Sequence, residues 1–132
     1  MKTKHFYTFA LIILAFAGIG LMAATTAQDE KVVTVDKTIH DFGTIAPTDG
    51  PQSAVFVVTN NTDAPVLITS VRASCGCTAS EWTKTPIEPG KTGTVTAKYN
   101  PANQAGPFTK TVTIETTSTP DRIVVRIKGV VQ

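Results

Sequence analysis

Cys75 and Cys77 are the two cysteines of the 132-residue chain and stand one residue apart in Ser74-Cys75-Gly76-Cys77-Thr78. Sulfurs at that spacing support three chemistries. They can close on each other as a local disulfide or stay as a pair of half-buried thiols, hold a soft cation such as Cu(I) between two thiolates, or exchange with a partner's thiol or disulfide. In an extended segment the two side chains share one face with Cα atoms about 6.6 Å apart, the far edge of disulfide geometry. Gly76 has no Cβ and can take a positive φ, which would kink the chain and bring the sulfurs together. So small a ring constrains the unfolded chain little, and its use would be a local shape or a redox potential. Two sulfurs alone leave a zinc site incomplete, and no Met or His stands beside them in sequence. Arg72 is near enough along the chain to lower a thiol pKa, although an Arg at a strand end is ordinarily solvated.

Other reactive side chains are few. His40 would complete a metal site with Cys77 if strand packing brought them together, but a His before Asp41-Phe42-Gly43 also reads as a hydrogen-bonded packing residue. Trp82 reads as a buried anchor. Asp41, Asp49 and Asp63 stand in turns whose backbone they can satisfy. A hydrolase needs a nucleophile, a base and an orienting group, and neither a Gly-x-Ser-x-Gly elbow nor a Gly-rich phosphate loop is present. The chain reads as a non-enzyme with no required cofactor.

Ahead of these residues the chain opens as an export signal. Lys2 and Lys4 precede an apolar stretch from Ala10 to Met22, and small residues follow as far as Ala27. The stretch holds Gly18 and Gly20 and is shorter than the ~20 residues of a membrane-spanning helix. Cleavage after Ala27 is expected, which makes residues 1–27 the signal peptide and residues 28–132 one domain, periplasmic or secreted and without a membrane span. Loss of Lys2 and Lys4 leaves 10 Lys and Arg against 10 Asp and Glu, so the formal +2 charge disappears. A neutral chain with interspersed charge has no footprint for nucleic acid. An export compartment also favours disulfides.

Such a domain must position the cysteines on strands. Apolar stretches after Lys31 are short, rich in Val, Ile and Thr, and bounded by Pro, Gly, Asn or Asp. Strands are expected over Val32 to Val35, Thr38 to Phe42, Ser53 to Asn60, Val66 to Ala73, Thr94 to Tyr99, Phe108 to Thr116 and Arg122 to Val131. Alternation assigns Val95, Tyr99, Val112, Ile114, Val125 and Ile127 to a core and the intervening Thr, Lys and Arg to water. Phe56, Leu67 and Val71 join that core, and Val55 to Val58, apolar on both faces, suits a central strand. About seven short strands in about 105 residues describe an all-β, immunoglobulin-like antiparallel two-sheet sandwich.

The order of motifs adds a resemblance. His40-Asp41-Phe42-Gly43-Thr44-Ile45 is followed by Phe56 to Asn61, Leu67 to Val71, Ser74 to Thr78, Pro86-Ile87-Glu88-Pro89-Gly90 and Ile127-Lys128-Gly129. Over about residues 34 to 131 this resembles the exported bacterial family called domain of unknown function 1573, similar in plan to the immunoglobulin-like modules of major sperm protein and Hydin. The resemblance implies the sandwich and no established activity. The leading expectation is therefore a module that binds another protein or a cell-envelope component through loops at one end, including Ser74 to Thr85 and Asn100 to Pro107. The alternative is soft-metal handling or thiol redox chemistry through Cys75 and Cys77.

Overall fold

A computed structural model describes residues 31–132. The expected signal peptide and cleavage point fall outside the described residues. Eight strands follow one another: β1 (Val33–Val35), β2 (Ile39–Ile45), β3 (Gln52–Asn60), β4 (Ile68–Ala73), β5 (Thr78–Trp82), β6 (Thr92–Tyr99), β7 (Gly106–Thr116) and β8 (Arg122–Val131). They form two four-stranded sheets with the orders β1-β3-β6-β5 and β2-β8-β7-β4. Among the described residues no helix is long and apolar enough to cross a membrane.

The expected sandwich is present, with two differences in its pairing. All contacts between neighbouring strands are antiparallel except β2 on β8, which is parallel. The chain reaches that pairing because β1 and β2 are successive pieces on one side of the molecule that join different sheets. Asp36 accepts from the Val57 amide at 2.8 Å on one sheet, and Arg126 N donates to Thr38 O at 2.8 Å on the other. The second difference is β5, an additional strand inside the segment expected to be a loop. Its Thr-Ala-Ser-Glu-Trp sequence shows no Val/Ile alternation, and it is a strand because it lies along β6, Thr78 opposite Tyr99 and Trp82 opposite Val95.

Inward-facing halves of the strands make one core. Phe56, Val95, Ala97, Tyr99, Val112, Ile114, Val125 and Ile127 are buried, as alternation predicts. Leu67 is not among them. Val71 is buried as expected, but Val66 and Ile68 take the place of Leu67, because the β4–β7 pairing slips between Ile68 and Ser70 and the irregularity changes which residues face inward. Val55 is 42% exposed, so β3 is central within its sheet but covered on one face only. Trp82 is half-buried against the core edge, with the Lys84 ammonium 2.9 Å from its ring centroid.

Candidate functional site

β4 is one edge of its sheet and β5 is the neighbouring edge of the other, so the chain changes sheets within Ser74 to Cys77. Backbone hydrogen bonds hold both ends of that crossing. Ser74 N donates to Thr111 O at 2.9 Å, and Thr111 N donates to Ser74 Oγ at 3.1 Å, which fixes the exit to β7. Asn100 N donates to Cys77 O at 3.0 Å, which fixes the entry beside β6. Thr78 N donates to Cys75 O at 3.3 Å and closes a tight turn around Gly76.

Cys75 and Cys77 are joined to each other across this turn, with Cα atoms 5.4 Å apart. Both residues are half-buried, and Gly76 between them is exposed. The shortening from the extended distance comes from the hydrogen-bonded turn. Gly76 is not among the residues with positive φ, and a Cβ built on it would meet nothing within 4 Å. The expected left-handed kink is therefore absent: the turn needs only φ values open to any residue. Thr78, buried at the start of β5, places its hydroxyl 4.0 Å from the Cys75 sulfur.

His40 does not come to Cys77. It lies on β2, at the opposite edge of the sheet from β4, and its ring packs edge-on to Phe42 with centroids 4.7 Å apart. Three strand spacings, about 14 Å, separate those edges. Among the described residues no group of three or more His, Cys, Asp or Glu side chains is arranged to hold a metal ion. With the sulfurs bonded to each other there is no thiolate for a cation or for Arg72 to act on.

The His40 to Ile45 segment has a local architecture of its own. Gly43 takes a left-handed φ of 68° where the β2–β8 register shifts between Asp41 and Thr44, and its amide donates to Asp41 Oδ1 at 2.8 Å. Asp41 also faces Lys128 at 3.6 Å, and the two line a shallow groove of about 340 Å³ with Thr44 and Pro107. Behind the bulge Phe42 approaches Phe108, and Phe108 stacks on Tyr99 at 3.9 Å. Burial pushes the Tyr99 phenol above its ordinary 10.0. This segment is thus a packing and turn motif, and Asp41 serves the turn as expected. Asp49 does so too, accepting from Ala46 N at 2.8 Å, whereas Asp63 pairs with Lys31.

Three connections converge at the cysteine end of the sandwich: residues 46–51, the corner at 74–77, and residues 100–105. Ser74 to Thr85 is accordingly a corner followed by a strand, and only its first residues belong to this end. Asn100 Oδ1 accepts from Ala102 N at 3.1 Å, Pro101 is buried beneath the loop, and Asn103 has a φ of 60°. Asn-Pro followed by Asn is a turn signal legible in the sequence. That its first residue would hydrogen-bond Cys77 was not.

Comparison with known proteins fits this architecture. A protein of unknown function from Porphyromonas gingivalis W83 has a similar structure with a TM-score of 0.64 at 16% identity, over 76% of this chain and 46% of that one. This chain therefore spans less than half of that protein's structure. The seventh PapD-like domain of human CEP192 superposes with a TM-score of 0.63 at 9% identity, covering 77% of this chain and 86% of the domain. WR4, a Caenorhabditis elegans member of the MSP family, gives 0.54 at 8% identity over 77% and 99%. At these identities the likeness concerns the fold. No curated protein matches the sequence. A family model matches residues 33–131, nearly all of the described domain, and on that match the chain belongs to the family described as protein of unknown function, DUF1573.

Proposed function

We propose that this chain is an exported, non-enzymatic module that binds another protein or a cell-envelope component through the cysteine end of the sandwich. The observation that carries this reading is the Asn100 N to Cys77 O hydrogen bond, which ties the 100–105 loop to the disulfide corner. Two exposed elements distant in sequence thereby form one surface on a rigid scaffold, the usual basis of recognition by loops. The immunoglobulin-like plan shared with the PapD-like domain and the MSP family member supports an interaction module. Export rests on the charged, apolar and small-residue sequence of residues 1–27. No cofactor is needed for such a role.

The test compares capture of envelope components by wild type, a loop-end variant carrying Asn103→Lys and Gln104→Lys, and an opposite-end variant carrying Lys84→Glu and Asp121→Lys. The loop-end changes should abolish capture and the opposite-end changes should leave it intact. Equal capture by all three would remove the loop end from recognition.

A second reading is favoured by one observation, the half-exposed, bonded sulfur pair at a chain corner. A dithiol donor could pass two electrons to the disulfide, which takes up two protons and opens to two thiols; these would then be available to Cu(I). Thiol titration and intact mass with and without reductant and Cu(I) separate the readings. A pair that resists reduction in the folded protein would eliminate the redox role.

A further inference from the structure

We propose that the outer face of the β2-β8-β7-β4 sheet is a second contact surface, fitted to a protein partner that presents carboxylates. The chain has three arginines, Arg72, Arg122 and Arg126, and all three stand exposed on this one face. Strand pairing assembles them. Arg72 on β4 lies beside Thr113 on β7, which lies beside Val124 on β8. One step along, Thr111 lies beside Arg126, and Arg126 beside Ile39 on β2.

Two of the guanidiniums are free to engage a partner. Arg122 is 3.6 Å from Glu115, and Lys128 is 3.6 Å from Asp41, but among the described residues no carboxylate pairs with Arg72 or Arg126. Two strand spacings and two residues separate Arg72 from Arg126, roughly 12 Å between Cα atoms. The short threonine side chains between them leave a flat floor that two carboxylates of a folded surface can span. Guanidinium forks bind carboxylates in two-point fashion, which favours this partner chemistry over a simple point charge.

Apolar area lies among the charges. Ile39 and Val124 are 48% and 37% exposed, two of the three large hydrophobic residues that the described chain leaves open to solvent. Arginine is enriched at protein interfaces, whose buried cores are apolar. Density of charge argues against polyanions. The face carries four cations and two anions on a domain whose mature charges balance overall, fewer than the several uncompensated cations that phosphate backbones or anionic lipid need. The opposite face, β1-β3-β6-β5, presents Thr34, Thr59, Thr92, Thr94 and Thr96 with the exposed Val55 and a cross-strand Lys98–Glu81 pair at 2.9 Å, and has no such bias of charge. The surface adjoins the cysteine corner where Thr111 meets Ser74, but its arginines lie outside the 74–77 corner and the 100–105 loop, so substitutions at them can fail without affecting the function proposed above.

The experiment is an amide-resonance titration of the exported protein with a soluble octapeptide of alternating Glu and Thr, beside its Lys/Thr counterpart and vesicles of anionic phospholipid. Thr111, Thr113, Val124 and Arg126 should shift with the Glu peptide, while Thr94 and Thr96 on the other sheet stay in place. The double variant Arg72→Gln, Arg126→Gln should bind about tenfold or more weakly, the loss of charged hydrogen bonds, and Lys98→Gln should bind as wild type. Because both arginines are exposed and unpaired, the double variant should keep a folded spectrum; Arg126→Gln alone serves if it does not. Absence of binding, shifts on the other sheet or an unaffected double variant would overturn the proposal. So would stronger binding to the vesicles, which would indicate a membrane, or shifts that follow protein concentration alone, which would indicate a second copy of the chain.

Discussion

Gly129 and Gly76 show how differently two glycines of one family motif set can act. A Cβ on Gly129 would sit 2.9 Å from Gly43 O and 2.9 Å from Phe108 Cζ. Neither neighbour can retreat easily. Gly43 O belongs to the left-handed bulge of β2, and the Phe108 ring is held against Tyr99. Gly129→Ala should therefore destabilise the domain by about 1–3 kcal/mol in denaturant unfolding, the usual cost of overpacking. Gly76→Ala should change stability by less than about 0.5 kcal/mol, since its Cβ points into open space and its φ is not left-handed. A Gly129→Ala variant as stable as wild type would mean that the bulge repacks freely. The roles were not legible in the sequence because the Cys-Gly-Cys spacing suggests strain at Gly76, whereas nothing near Gly129 in the chain hints at Gly43 beside it.

The corner between β4 and β5 is held by hydrogen bonds on both sides of the disulfide. The bonds that tie Ser74 to Thr111 and Cys77 to Asn100 do not involve the sulfurs. A three-residue ring restricts the unfolded chain by about 1–2 kcal/mol in the chain-entropy account. Cys75→Ser with Cys77→Ser should accordingly lose no more than that, with an unchanged denaturant slope. A loss of 4 kcal/mol or more would make the pair a structural staple. At this scale β6, β7 and β8 are legible from alternation to within two residues, because each strand's faces are set by its own sequence, whereas β3 is legible as an apolar stretch whose faces the sequence does not distinguish. β5 is not legible: Ala79 and Ser80 fit a loop as well as an edge strand, and only β6 decides. The faces of β4 were misread for a related reason. An irregular pairing with β7 shifts the inward set from Leu67 to Val66 and Ile68, and that irregularity belongs to the pair of strands.

Across the whole molecule one core joins the sheets, and Ile114 lies within it with no exposure. Ile114→Ala should cost ~2–5 kcal/mol in chemical unfolding, and Leu67→Ala, on the half-exposed side of the β4 irregularity, clearly less. A loss under about 0.5 kcal/mol at Ile114 would mean that β7 presents its other face. Hydrophobic alternation and Pro and Gly punctuation determined the class of fold and most inward faces, and the Cys-Gly-Cys spacing determined where a disulfide could close without deciding that it would. Each depends on residues close together in the chain, where covalent geometry limits the outcomes. Tertiary structure alone decided the parallel β2–β8 pairing, the meeting of Asn100 with Cys77 and the gathering of Arg72, Arg122 and Arg126 on one face. Those features depend on which strands become neighbours. Neighbour choice is fixed by burying all the inward faces at once, a condition that no single segment of the sequence contains.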